Sequence, residues 1–143
     1  MDLLNLVHHA PVTVSPEDTV SHAIEISMPA RVGAVAVMES DRLVGIFTER
    51  DVMLKVVHRG LDARTTVIRS VMTPNPLTVT PNQTPQEVLQ LMLARHIRHM
   101  PIVSASGELV GLLSIRNVLQ YMVEHLNQDL QFIADYAGIT HQP

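Results

Sequence analysis

Thr48-Glu49-Arg50-Asp51 and Ser114-Ile115-Arg116-Asn117 each place a hydroxyl where a strand should end and a helix begin, with a carboxylate or amide three residues on. Such a hydroxyl can cap the helix, and a side chain three positions later can return the bond. The same groups can also bind a ligand. A helix N-terminus offers unpaired N–H groups and a positive dipole end to a phosphate. The two oxygens of Asp51 can accept both hydroxyls of a cis-diol, whereas the amide of Asn117 must donate from one of its two atoms. Capping and ligand binding are compatible, so the spacing alone leaves both open.

Other chemistries find less support. No nucleophile carries the signature of an adjacent base, and no glycine-rich phosphate loop is present. Glu49 and Asp51 lie two apart at a strand-to-helix junction and would diverge instead of forming a carboxylate pair. Among the eight histidines, His96 and His99 could share an ion only on a helix, and spacing supplies no third ligand. The chain lacks cysteine and so has no thiol chemistry. A net charge of -4, a single lysine (Lys55) and no tryptophan argue against a nucleic-acid surface. No apolar block approaches the ~18 residues of a membrane span. The first residues show neither a cationic leader nor a cleavage site. The expectation is a soluble, cytoplasmic protein without catalytic residues or metal.

An internal repeat must position the two stretches. At an offset of 65, VTVSPEDT (12–19) lies on LTVTPNQT (77–84); at 66, LVGIFTERDVM (43–53) lies on LVGLLSIRNVL (109–119). One residue has therefore been inserted within the second unit. Each unit reads as strand, helix, strand, strand, helix, with the opening strands at 12–14 and 77–79. Helices are predicted near 19–29 and 85–95, the second capped by Thr84 with Pro85 at its first position and with Val88, Leu89, Met92 and Leu93 on one apolar face. Hairpins follow, from VGAVAVM (32–38) to LVGIF (43–47) and from PIV (101–103) to LVGLL (109–113), with Pro101 expected at the start of its strand. Closing helices are expected at 49–58 and 115–127, and a further short helix through Phe132 and Tyr136. The predicted class is α+β: two β-α-β-β-α repeats packed sheet to sheet about a pseudo-twofold axis, which creates two related clefts.

The chain resembles a pair of cystathionine β-synthase (CBS) domains, the arrangement called a Bateman module. The resemblance rests on the two GhxT/SxxD/N stretches, the VxVxPxxT opening of each unit, RHMPIV (98–103), and SVMTPNP (70–76) between the units. It assigns 1–62 to a first motif with its N-terminal segment, 63–76 to a linker, 77–126 to a second motif and 127–143 to a tail. Such modules bind AMP, ADP, ATP or S-adenosylmethionine as regulatory ligands, perform no chemistry and commonly form flat homodimers whose change of state an effector protein reads. Each cleft takes the T/SxxD stretch of one motif and the opening strand and pre-strand loop of the other. Carried over, the first cleft joins Thr48 and Asp51 to Thr73, Thr78, Ile97, Arg98, His99 and Met100, with Ile97 and Met100 toward the adenine. The second joins Ser114 and Asn117 to Thr13, Val32 and Gly33, and is expected to be the weaker. The alternatives are a dimerisation scaffold with empty clefts, or a sensor of S-adenosylmethionine or NAD.

Overall fold

The computed structural model describes residues 2–136, with the side chains of Asp129, Phe132, Ile133 and Tyr136 outside the description. The first repeat and the segment leading into the second form a four-stranded sheet in the order β1 (Thr13–Val14), β2 (Ala34–Glu39), β3 (Arg42–Thr48), β4 (Thr73–Pro74). β1 runs parallel to β2, and the other pairs are antiparallel. The second repeat pairs β5 (His99–Val103) with β6 (Leu109–Ser114). Helices α1 (Val20–Ala30) and α3 (Pro85–Arg95) are copies cap for cap. Thr19 Oγ1 accepts from His22 N–H and Thr84 Oγ1 from Glu87 N–H, while Arg31 and His96 close the two helices in the left-handed conformation. Among the described residues no helix is long and apolar enough to cross a membrane.

The inserted residue lies in the second hairpin. Ser40 and Asp41, both at positive φ, turn β2 into β3 as a two-residue loop. In the second repeat Ser104 N–H donates to Glu108 C=O across Ala105-Ser106-Gly107, and Gly107 takes the positive φ of a three-residue turn.

Four expectations change. The strand predicted at 77–79 is reduced to a single parallel bridge, Val79 to Ile102. Pro101 explains this: it is the third residue of β5, not the first, and its carbonyl accepts from Val79 N–H at 3.0 Å. Its nitrogen therefore faces the same neighbour but has no proton to give. The corresponding bond in the first repeat, Ala36 N–H to Val12 C=O at 2.9 Å, is present. Leu93, expected on the apolar face of α3, is exposed, while Val88 and Met92 are buried. The closing helices also differ. α2 (Glu49–Asp51) passes into a wider π-helical stretch, Val52–Val57, whereas α4 (Ile115–Tyr136) runs on unbroken through the region expected to hold a separate tail helix.

Two hydrophobic clusters form the core, and the segments that complete them are exchanged. Val14, Val20, Val35, Val37, Phe47 and Val56 of the first repeat enclose Ile68 and Val71, from the segment that leads into the second. Val79, Val88, Met92, Met100, Ile102, Leu113 and Val118 of the second enclose Leu3 and Leu6, from the start of the chain. Leu3–Leu6 and Ile68–Ser70 are equivalent 3-10 turns at the offset of 65. Arg69 fastens the second of these turns to the first repeat through Glu17 and Glu39.

This exchange accounts for the glycine in both doubled stretches. A Cβ on Gly45 would meet Met72 Sδ at 2.5 Å and the backbone oxygen of Thr73 at 3.1 Å; one on Gly111 would meet Leu4 Cδ2 at 3.2 Å. Each glycine leaves room for the leading segment that crosses its strand.

Candidate functional site

Both strand-to-helix junctions are capping boxes with one hydrogen-bond pattern. Asp51 N–H donates to Thr48 Oγ1 at 3.3 Å, and Asp51 Oδ2 accepts from Thr48 N–H at 3.0 Å and Thr48 Oγ1 at 3.2 Å. Asn117 N–H donates to Ser114 Oγ at 3.1 Å, and Asn117 Oδ1 accepts from Ser114 N–H at 3.2 Å and Ser114 Oγ at 2.7 Å. The backbone agrees as well: Glu49 N–H donates to Gly33 C=O and Ile115 N–H to Arg98 C=O. The inner oxygen of Asp51 and that of Asn117 thus serve the cap in the same way.

Their outer atoms differ. Asp51 Oδ1 pairs with Lys55 Nζ at 3.1 Å, and the same ammonium donates to Thr73 Oγ1 at 3.3 Å. Asp51 is only 8% exposed. At Asn117 the outer atom is the amide nitrogen, which has no hydrogen-bond partner among the described residues.

A cavity of about 680 Å³ opens where the repeats meet. It collects Val32, Gly33, Ser114 and Asn117, four of the five residues expected in the second cleft. Arg98 and His99, expected in the first, line this same space. His99 packs against Gly33, where an added Cβ would lie 3.3 Å from His99 Nε2 and 3.0 Å from Glu49 Oε1. His8, His9, Arg31 and Arg116 add further cationic or titratable groups, with Glu49 the one carboxylate on the wall among the described residues. The volume falls in the ordinary range for small-molecule sites, and the balance of charge favours an anionic ligand.

The remaining predicted residues are dispersed. Thr13 and Thr78 are exposed on the opening segments, and Thr73 is reached by Lys55. Ile97 packs partly buried against the second core. Met100 is corrected from ligand contact to core residue, because its side chain is fully enclosed by the second cluster. Sequence reasoning missed Lys55, although the only lysine of the chain lies one helical turn after Asp51. It also missed His8, which stands at the position equivalent to Thr73. A smaller cavity of about 320 Å³ lies beneath α1, bordered by Ala23, Ser27 and Val35; their counterparts Val88, Met92 and Met100 are buried in the second core. Among the described residues no three His, Cys, Asp or Glu side chains could hold a metal together.

Burial pushes the His99 imidazole below the usual histidine range; Glu49 draws it back up and Arg98 depresses it further. The unfolded chain then takes the proton more readily than the folded one, so acidification through about pH 6.5 lowers stability until the folded imidazole is protonated too. The expected result is a smaller fall in melting temperature between about pH 7.5 and 5.5 for His99→Gln than for the parent chain. Equal falls would show that His99 is not the group responsible.

The fold and its paired junctions define a tandem CBS-domain chain. The sequence matches the CBS domain family over residues 3–58 and again over 68–124, and the chain belongs to that family. It is 35% identical over 103 residues to the CBS domain-containing protein YhcV of Bacillus subtilis, covering 72% of each. It is 32% identical over 127 residues to the uncharacterized protein MK0525 of Methanopyrus kandleri, covering 84% of this chain and 63% of that one. It is also 36% identical over 107 residues to inosine-5'-monophosphate dehydrogenase of Korarchaeum cryptofilum, covering 75% of this chain but only 21% of the enzyme. The chain thus spans less than two thirds of both of these last two relatives. Among solved structures, the CBS-domain protein ATU1752 of Agrobacterium tumefaciens superposes with a TM-score of 0.75 at 30% identity, covering 82% of this chain and 88% of that one. The CBS domain protein PAE2072 of Pyrobaculum aerophilum, solved in complex with AMP, gives 0.74 at 28% identity, covering 82% and 89%.

Proposed function

We propose that this chain is a regulatory, non-catalytic sensor of an adenosine-containing nucleotide, AMP, ADP or ATP, bound between its repeats and read by an effector protein in the cytoplasm. The carrying observation is the cationic cavity at the repeat junction, bounded by the Ser114–Asn117 cap, where the N-terminal end of α4 can receive phosphate. The AMP complex of the similar Pyrobaculum protein supports the choice of ligand. Such a ligand acts as a signal only through unequal affinity for two states of the module or its assembly.

An exposed apolar stripe on α4 supports a homodimer as the unit that responds. Leu119, Val123, Leu126 and Leu130 recur at the four-three-four spacing of a coiled-coil seam and are all exposed in the single chain. This stripe is also what favours the second reading, a dimerisation scaffold whose clefts stay empty.

Calorimetric titration with AMP, ADP, ATP, S-adenosylmethionine and NAD, on protein whose mass is measured by sedimentation, separates the readings. The expected result is a dimer that releases or absorbs heat with an adenine nucleotide and melts higher in its presence. A dimer silent to every ligand, with an unchanged melting temperature, would leave the scaffold.

A further inference from the structure

We propose that Lys55 is the specificity-determining residue of the first cleft, holding Asp51 in an ion pair that only an anionic ligand relieves. This rests on the nucleotide reading above. The carboxylate of Asp51 has little capacity left: Oδ2 carries two bonds from Thr48, and Oδ1 carries the ammonium of Lys55, which is itself tied to Thr73. A ribose diol that approached Oδ1 would have to displace this ammonium.

The exchange is unequal for a neutral ligand. A hydroxyl offers Asp51 a dipole in place of a full charge, and it strands Lys55 in a setting where its side chain is only 30% exposed. A ligand that also carries phosphate gives the released ammonium a new anion within the reach of its flexible four-carbon stem. The first cleft therefore discriminates for charge on the ligand as well as for its ribose.

The second repeat has no such device. Position 121, equivalent to Lys55, is a tyrosine stacked on His125 with ring centroids 5.5 Å apart, and position 8, equivalent to Thr73, is a histidine. The outer atom at Asn117 is a donor, so a cation there would have nothing to pair with. The Asp51-to-Asn117 and Lys55-to-Tyr121 differences belong together.

Calorimetry with AMP and adenosine on the wild type, Lys55→Met, Lys55→Arg and Asp51→Asn tests the assignment. Asp51→Asn keeps the cap, as Asn117 does, so any heat that it loses belongs to the first cleft. In the wild type that heat should favour AMP over adenosine by about 10-fold or more. Lys55→Met should bind adenosine more tightly and reduce the preference to less than about 3-fold, while Lys55→Arg should restore it. A preference unchanged in Lys55→Met, or an Asp51→Asn titration identical to wild type, overturns the role of Lys55 and leaves nucleotide binding standing. Absence of AMP heat in all four proteins overturns both.

Discussion

Leu3→Ala should destabilise the protein by about 2–5 kcal/mol, the range for truncating a fully buried leucine. Leu3 is fully buried in the second cluster, its N–H donates to Pro81 C=O at 2.9 Å, and the turn it begins is capped by Asp2. Urea denaturation would give the magnitude. Amide exchange would give the place: protection should fall first in 79–118 and not in the adjacent repeat at 13–57. A loss below about 1 kcal/mol would mean that the leading segment contributes little to the core.

Asp51→Ala should weaken nucleotide binding at the first cleft by about 10–100-fold, corresponding to the loss of bonds to a charged acceptor at roughly 1.5–3 kcal/mol. It should also cost about 1 kcal/mol of stability, because the Thr48 cap loses its reciprocal partner. Asp51→Asn separates the two effects. Asn117 already shows an amide making the cap, so this variant should melt close to wild type yet bind almost as weakly as Asp51→Ala. Calorimetry beside thermal melting of the three proteins reads both quantities. If Asp51→Asn bound like wild type, the carboxylate would be a structural cap and nothing more.

The α+β class, the repeat, the helix starts at Thr19 and Thr84 and both capping boxes were legible in the sequence, because each rests on local chemistry repeated at a fixed offset. The failures came where distant segments decide. Nothing in the short run LTV (77–79) shows that its neighbour is Pro101, whose missing N–H prevents the ladder from extending. Met100 lies beside Arg98 and His99 in sequence, yet strand alternation turns it into the core while His99 meets the cavity. Gly33 is expected from the sequence only as a member of the second cleft. In the structure it is also the gap that brings His99 and Glu49 close to one another. The position of Lys55 between Asp51 and Thr73 required β4 to lie beside β3, a pairing with no signature in the two residues that make it.

The exchange of leading segments makes this chain a domain swap closed upon itself. Each repeat carries a strap that is fastened inside the other, 3–6 into the second and 68–71 into the first. A single repeat on its own would present an unfilled groove, which a second copy could fill only by trading straps. Severing the connection between the repeats would therefore leave two pieces still laced together. Neither half can leave the other without withdrawing a strap from each cluster.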